Sequence, residues 1–270
     1  MGKMISPQRK WNRKHPSKMR TATKRWRRRN SKKVKDANAR RNSRLQLYGV
    51  TTARFQQMLI RQCYKCLGCL SPIDKHTANL DHDHNSNEAR GLLCRSCNWA
   101  LGHVKECPET LRRLIAYLSM DRTKPLVYLI GRLKSNKIVQ IANFFRAHGY
   151  DVFEDWNYVG PDADDWWQKR EKERGRTYIE SLQGRAAQNT YLFDKAYLDL
   201  AQAVVLVSPA GKSAFMELGY SKGSGKATYI LMPRKTMKRY EVMTKFANAV
   251  LETKEEILDA LNTHFQLRGD

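Results

Sequence analysis

The sequence contains no run of 18 or more apolar residues, although 41% of its residues are hydrophobic. A membrane-spanning helix needs about 20 consecutive apolar residues, so the sequence argues against a transmembrane protein. It also has no apolar segment behind its basic start, which argues against a secretory signal peptide. We therefore expect a soluble protein of the cytoplasm that makes no membrane contact. With 270 residues, the chain is long enough for two domains of ordinary size.

Acidic residues are scarce at the start of the chain. Residues 1–45 hold 18 lysines and arginines and a single acid, Asp36. They also hold few aliphatic residues to bury, which predicts a disordered basic tail over residues 1–44. Such a tail binds DNA by releasing counterions from the phosphates, and Trp11 and Trp26 are suited to stacking on exposed bases. The alternative is a tail that only aids solubility, or a basic arm like those of ribosomal proteins.

Six cysteines fall within one stretch of the chain, and their pattern admits two interpretations. Disulfides need an oxidising compartment, which an unexported chain does not reach. The other interpretation is a structural zinc site, because two C-x-x-C pairs with 24 residues between them match the spacing of tetrathiolate sites. We predict that the Zn²⁺ ligands are Cys66, Cys69, Cys94 and Cys97. Cys63 is an alternative to Cys69, but the chosen pairing places Gly68 in the tight turn at the metal.

The segment LDHDHNSNEARGLLCRSCN joins ligands of hard metals to the second cysteine pair. A closed four-sulfur zinc site has no open coordination position, so it is not a catalytic centre. Asp81 and Asn98 offer oxygen ligands, which Mg²⁺ or Mn²⁺ prefers, and His82 can act as a base near neutral pH. These groups suit metal-assisted hydrolysis of a phosphodiester, with zinc pinning a small ββα unit around them. The alternative is a solvated polar hairpin or a set of additional metal ligands.

These joined motifs closely resemble the phage recombination endonuclease VII family, a branch of the His-Me finger (HNH) nucleases, over about residues 45–120. The resemblance implies an α+β, zinc-stapled ββα-metal domain. It implies that His82 is the general base and that His84 contacts the phosphate or the metal. It assigns the catalytic Mg²⁺ or Mn²⁺ to Asp81 and Asn98. It also implies branched DNA such as Holliday junctions as the substrate, and a homodimer as the working form.

The chain departs from that family at one position. The best-known member carries a glutamate three residues beyond the metal-binding asparagine, where Leu101 stands here, and Asp83 and Glu88 are the candidate substitutes. The segment ETLRRLIAYL is a predicted helix. Its apolar residues at helical spacing indicate core or dimer contacts; they are Leu111, Leu114, Ile115 and Leu118.

The arginines that we expect to contact phosphates are Arg90, Arg95, Arg112 and Arg113.

LYGVTTARFQQMLIRQ predicts a short amphipathic helix that begins after Thr51 or Thr52, and MDRTKP, residues 120–125, is the predicted linker.

Beyond residue 125 the sequence alternates between apolar strands and helices, with one polar helical stretch from Asp164 between the second and third strands. VYLIG, YDVFED, AVVLV and ATYILM are predicted strands, ANAVLE is a predicted edge strand, and Thr253 with Glu256 is predicted to cap a final helix. This alternation predicts an α/β, doubly wound, Rossmann-like parallel sheet. Ligands of such sheets bind beyond the carboxyl ends of the strands. We therefore predict a cofactor or ligand site that includes Gly131, Arg132, Ser208 and Ser213.

VYLIG and FDKAYLDLAQAVVLVSPAGKSAFMELGYSKGSGK carry a second resemblance, over about residues 126–232. They are similar to the nucleoside 2-deoxyribosyltransferase superfamily, which includes deoxynucleoside monophosphate N-glycosidases. The resemblance implies that Glu217 is the nucleophile toward the deoxyribose and that Asp194 assists it. Gln202 and Gly211 stand where aspartates are common in that superfamily, which favours nucleotide hydrolysis or binding over transfer.

We thus expect a basic DNA-binding tail (residues 1–44), an endonuclease VII-like domain (45–122) and a deoxyribosyltransferase-like domain (123–270). The expected function is a metal-dependent DNA endonuclease, phage-encoded and acting in the host cytoplasm, fused to a nucleoside- or nucleotide-processing domain. One alternative is a DNA-docking zinc module whose only active enzyme is an N-glycosidase. Another is a nucleotide-responsive DNA-binding protein without catalysis.

Overall fold

The structure, a computed structural model, describes residues 25, 28–32, 39, 43, 45–236 and 241–266. Most of the basic tail over residues 1–44, with its predicted disorder, lies outside these residues. The described chain divides into two compact units, one that ends at Glu106 and one that begins at Cys107. Within the described residues, no helix combines the length and the apolar character needed to cross a membrane.

The first unit is built around one antiparallel hairpin. Its elements are helix α1 (Thr52–Arg61), strands β1 (Ala78–His82) and β2 (Ala89–Cys94), and helix α2 (Arg95–His103). Helix α1 begins where the Thr51 hydroxyl accepts a hydrogen bond from the Arg54 amide, as the sequence predicts, and it buries Phe55 and Leu59. Because α2 follows β2 without a loop, the hairpin and the helix form a ββα unit.

The core of the first unit is small and includes a thiol. Its buried members are Leu45, Val50, Phe55, Leu59, Cys66, Ile73, Leu92 and Leu93. A core of this size provides little stability by itself, so a small unit of this kind benefits from a metal staple.

The second unit contains a parallel sheet, as the sequence predicts. Its strands are β3 (Leu126–Ile130), β4 (Asp151–Phe153), β5 (Ala203–Val207), β6 (Ala227–Leu231) and β7 (Ala249–Leu251). They lie in the order β4-β3-β5-β6-β7, with every neighbouring pair parallel, and all residues of β3, β5 and β6 are buried. Strands buried on both faces read as continuous apolar runs, which is why these three are evident in the sequence.

Helices cover both faces of this sheet. The helices of this unit are α3 (Pro108–Ser119), α4 (Lys137–Ala147), α5 (Ala163–Glu173), α6 (Tyr178–Leu182), α7 (Arg185–Leu200), α8 (Lys212–Gly223) and α9 (Lys254–Gln266). Buried residues of α4 and α9 pack against one face, and those of α7 and α8 against the other. The connection from β4 to β5 holds three helices, where the sequence indicated a single polar helical stretch.

Helix α3 belongs to the second unit, whereas the sequence placed it at the end of the first domain with a linker at residues 120–125. It packs on α7, where Arg112 donates to Asn189 and Arg113 to Asp199, each at 2.9 Å. These two arginines therefore have protein partners rather than the expected free surface for phosphate. The structural division lies one helix earlier than the predicted one, because α3 finds its ionic and apolar partners on α7.

Candidate active site

Four of the six cysteines come together in the first unit. The Sγ atoms of Cys66, Cys69, Cys94 and Cys97 all lie within 4.8 Å of one another. Those of Cys69 and Cys94 are 3.7 Å apart, close to the roughly 3.8 Å that four tetrahedral Zn–S bonds of about 2.3 Å require. All six thiols are unbridged, and Cys63 and Cys107 lie outside the cluster. The donor set fits a structural zinc ion, with Cys69 rather than Cys63 as the ligand.

The electrostatics of this cluster also fit a bound cation. Burial raises the pKa of Cys66, but amide donors, two of them at 3.2 and 3.3 Å from its Sγ, outweigh burial and leave that pKa lowered. Hydrogen bonds with Ser71 help to lower the pKa of Cys69 to about 6. Burial and the neighbouring thiols raise the pKa of Cys97. Because four adjacent thiolates repel one another, full ionisation requires a cation among them.

The turn between Cys66 and Cys69 has no room for a side chain at Gly68. A Cβ there would lie 2.9 Å from Cys97 Sγ, closer than real Cβ contacts come. Since one cysteine pair follows α1 and the other spans the junction of β2 and α2, an ion on the four sulfurs ties the loop after α1 to the ββα unit.

The residues predicted to be catalytic line one cleft of about 410 Å³ in the first unit. Its lining residues are Asp81, His82, His84, Asn98, Trp99, Gly102, His103 and Glu106. Neighbouring residues of a regular strand point to opposite faces, so Asp81 and His82 would not normally share a cleft. Both line it here, at the point where the pairing register shifts, since Asp81 pairs with Gly91 and His82 with Ala89.

The His82 imidazole is held between two aromatic rings. Its centroid is 4.0 Å from that of Tyr48, at an interplanar angle of 32°, and 4.8 Å from that of His84. Contacts of this kind favour one orientation of the ring. Tyr48 was not predicted from the sequence, because it precedes α1 and shares no motif with the hairpin.

Arg90 fixes the carboxylate of Asp81. Its Nε lies 2.9 Å from Oδ2 of Asp81 and its Nη2 lies 3.1 Å from Oδ1. The hydrogen bonds with Asp81 raise the pKa of Arg90, which keeps the guanidinium charged. Arg90 therefore has a carboxylate partner in the structure, whereas the sequence predicted a phosphate contact.

Glu106 is the second partner of Arg90, and it too was not predicted from the sequence. The guanidinium contacts its carboxylate at 3.0 and 2.9 Å and lowers the pKa of Glu106. Of the substitutes considered for the family glutamate, Asp83 lies 3.9 Å from Arg90 and Glu88 is exposed, and neither lines the cleft. Leu101 packs against the core instead.

In the second unit, the predicted ligand-binding residues lie at the carboxyl ends of the central strands. Gly131 and Arg132 follow β3, Ser208 follows β5, and Ser213 is in the first turn of α8. A Cβ at Gly131 would lie 2.3 Å from Ile138 Cδ1, so packing alone already requires glycine there. Their position agrees with the predicted site, and their role stays a prediction.

Asp194 of α7 and Glu217 of α8 form an acidic pair whose residues are half-buried. Burial raises the pKa of Asp194 to about 7, and burial together with the charge of Asp194 raises the pKa of Glu217 to about 7. Oδ1 of Asp194 is buried without a hydrogen-bond partner. Both carboxylates also act on Tyr128, whose pKa is raised first by burial and then by their charges. The consecutive helices α7 and α8 thus bring together the two acids that the second resemblance singled out.

Part of the chain is similar to a known protein family. Residues 41–120 match the family described as Recombination endonuclease VII, a span that holds the cysteine cluster, the cleft and α3. The resemblance seen in the joined motifs is therefore confirmed.

Two phage proteins are similar to the same part of the chain. The Gene 59 protein of Mycobacterium phage D29 is 37% identical over 89 residues, which are 32% of this chain and 52% of that protein. The Gene 59 protein of Mycobacterium phage L5 is 36% identical with the same coverage. The chain thus spans about half the length of the curated relatives it matches.

Proposed function

We propose that this protein is a metal-dependent DNA endonuclease of the endonuclease VII type. The observation that carries this proposal is the meeting of Asp81, His82, His84 and Asn98 in one cleft, inside the span that matches the family. The adjacent four-thiol cluster supports a structural role for Zn²⁺ that is separate from catalysis.

In the proposed mechanism, Asp81 and Asn98 are the residues that would hold Mg²⁺ or Mn²⁺. A carboxylate and an amide oxygen are hard donors that these ions prefer, and each Asp81 oxygen keeps a lone pair beyond its bond to Arg90. When bound, the cation supplies positive charge to the scissile phosphate and to the leaving oxygen. His82 takes the proton of the attacking water, and Tyr48 holds its ring for that transfer. His84 contacts the phosphate.

Branched or recombining DNA is the proposed substrate, and an exposed aromatic ring at the cleft supports it. Trp99 lines the cleft with 55% of its surface exposed, and the Arg95 guanidinium lies 4.2 Å from the ring centroid. Bases unstacked at a branch can stack on such a ring, and arginine adds attraction to the backbone. Exposed apolar residues of α3, namely Leu114, Ile115 and Leu118, offer a surface for a homodimer. We place the activity in the cytoplasm of the phage host.

A cleavage assay tests the nuclease proposal. Purified protein with Mg²⁺ is incubated with linear, nicked and four-way DNA, and we expect cleavage of the four-way substrate that His82→Ala abolishes. His148→Ala, which removes a histidine of the second unit, is the matched control and should cut as the wild type does. Equal cleavage by His82→Ala and the wild type would remove the assignment.

The acidic pair favours a second activity, hydrolysis of the glycosidic bond of a deoxynucleoside or its monophosphate. Two adjacent half-buried carboxyls tend to share one proton, so one is ready as nucleophile while the other can donate a proton to the leaving base. Glu217 is the proposed nucleophile toward the anomeric carbon and Asp194 the assisting acid. The binding residues proposed for this site are Gly131, Arg132, Ser208 and Ser213.

Release of free base distinguishes the candidate functions. We expect base release from deoxynucleosides or their monophosphates, and its loss in Glu217→Ala. Base release without DNA cleavage would leave the first unit as a DNA-docking module. Absence of both reactions would favour a nucleotide-responsive DNA-binding protein.

A further inference from the structure

Glu106 reaches the cleft from outside the hairpin and outside any helix. It lies eight residues beyond Asn98, after the end of α2, and its side chain is 16% exposed. Glutamate side chains are mostly exposed to solvent in folded proteins. The largely buried side chain of Glu106 therefore needs a physical reason.

A tight turn at the end of α2 places Glu106 at the cleft. The amide of Glu106 donates to the carbonyl of Leu101 at 3.0 Å, and the amide of Lys105 donates to that of Gly102 at 3.1 Å. This pair of bonds is the Schellman pattern, which reverses the chain at a helix end. Lys105 and Glu106 both have positive φ, 52° and 54°, a conformation that costs residues other than glycine about 1 kcal/mol each. The fold therefore holds Glu106 in place against a local preference.

The Glu106 carboxylate joins two parts of the proposed nuclease centre. It makes a two-point contact with Arg90, which holds both oxygens of Asp81 on its other side. Its Oε1 is also 3.5 Å from Nε2 of His84. One acidic group therefore contacts the partner of the predicted metal ligand and the predicted phosphate contact.

We propose that Glu106 is a positioning residue of the nuclease centre, which keeps Asp81 and His84 in place through these contacts. The inference rests on the proposed function. Glu106 takes up part of the positive charge of Arg90, so that Asp81 keeps enough negative charge to attract a divalent cation. Without the negative charge of Glu106, the whole positive charge of Arg90 would act on Asp81. The site would then attract the cation less, and the cation would bind more weakly.

Cation affinity tests the proposal independently of cleavage. Mn²⁺ binding to the whole protein, loaded with zinc, is measured by electron paramagnetic resonance for the wild type, Glu106→Gln and Glu88→Gln. We expect Glu106→Gln to weaken Asp81-dependent Mn²⁺ binding by roughly 10- to 100-fold, the range typical of residues behind a metal ligand. Glu88→Gln removes the same charge from an exposed position of the same hairpin and should bind as the wild type does.

A double variant tests the charge balance between Arg90 and Glu106 separately from folding. Arg90→Gln combined with Glu106→Gln removes both charges, so Mn²⁺ affinity should recover toward the wild-type value relative to Glu106→Gln alone. In cleavage assays, Glu106→Gln should lower kcat with little change in KM, and a higher Mn²⁺ concentration should restore part of it. A purely structural role predicts a lower melting temperature and a defect that neither the second substitution nor extra Mn²⁺ restores.

The outcomes also separate this inference from the proposed function. If the wild type binds Mn²⁺ through Asp81 but cuts no DNA, the nuclease proposal fails while the comparison of affinities still decides the role of Glu106. If Glu106→Gln keeps wild-type Mn²⁺ affinity and kcat, the role of Glu106 is refuted while the nuclease proposal stands. If Asp81→Asn leaves Mn²⁺ binding unchanged, both are refuted.

Discussion

Single side chains decide the geometry of the cleft. Asp81 and His82 are adjacent in sequence, and both line the cleft at the point where the hairpin register shifts. Arg90 then fixes one of them and Tyr48 packs on the other. The motif therefore supplies the groups that we propose to be reactive, and residues outside the motif contact them.

Tyr48 provides a test of that orientation. We expect Tyr48→Phe to keep near wild-type cleavage, because the ring contact with His82 remains. Tyr48→Ala should lower kcat roughly tenfold or more, since a misoriented base transfers protons poorly. Steady-state cleavage kinetics measure both variants, with melting temperatures as the check on folding. Equal kcat for the two variants contradicts an orienting role.

The pair Asp194 and Glu217 makes the stability of the second unit depend on pH. Burial, joined at Glu217 by the charge of Asp194, raises both pKa values to about 7 in the folded state, whereas a carboxyl in an unfolded chain titrates near about 4. Between these values the folded state binds more protons than the unfolded state, so the free energy of unfolding falls as pH rises from about 4 to about 7.

Asp194→Asn should flatten that dependence. The melting temperature of Asp194→Asn minus that of the wild type should be larger at pH 8 than at pH 5. Each kcal/mol by which the variant is stabilised relative to the wild type should raise the melting temperature by roughly 2–4 °C. Asp259→Asn, at an exposed position of α9, should follow the wild type at both pH values. Scanning calorimetry at the two pH values measures the difference, and parallel curves for all three proteins would contradict the acidic pair.

At the scale of elements, local sequence signals predict the ends of helices well. Thr51 caps α1, and Thr253 exchanges hydrogen bonds with Glu256 at the start of α9, both as predicted. These signals succeed because caps use residues only three positions apart. The Schellman turn after α2 was not predicted from the sequence, because no glycine marks it.

Replacing Lys105 by glycine tests the strain in that turn. Glycine adopts a positive φ at little cost, so Lys105→Gly should stabilise the first unit by up to about 1 kcal/mol. Gly102→Ala, one turn earlier in α2, is the comparison, because it changes helix propensity without relieving a positive φ. Urea unfolding followed by circular dichroism measures both, and destabilisation by Lys105→Gly contradicts strain as the dominant effect.

At the scale of the whole molecule, the two units have separate hydrophobic cores and depend on different interactions. The first has a small core beside four thiols, and the second has two large clusters on the faces of a sheet. Loss of zinc should therefore affect them differently.

Chelation should unfold the first unit and spare the second. We expect the zinc-free protein to lose the ordered amides of β1 and β2, while those of β3, β5 and β6 remain protected from hydrogen exchange. Mass spectrometry of deuterium uptake before and after chelation measures this, and re-addition of Zn²⁺ is the control. Unchanged protection of the hairpin would contradict a structural zinc.

The basic tail over residues 1–44 is expected to contribute to DNA binding. Deleting residues 1–44 should weaken DNA binding and lower the slope of log affinity against log salt by about 0.9 for each phosphate that the tail neutralises. The bond that is cut should not change, because the cleft lies beyond residue 44. Titrations at several salt concentrations measure the slope, and an unchanged slope would rule out the tail as the main binder of phosphates.

By itself the sequence determined the features that depend on short-range pattern. These are the four clustered cysteines, the Asp81–His82 pair, the buried parallel strands and the caps of α1 and α9, because spacing and apolar runs report directly on local geometry. Only the tertiary structure decided that Tyr48 and Glu106 join the cleft, that Arg90 holds carboxylates, and that α3 packs on α7. Those contacts join residues brought together by chain reversals and packing, which leave no periodic trace in the sequence.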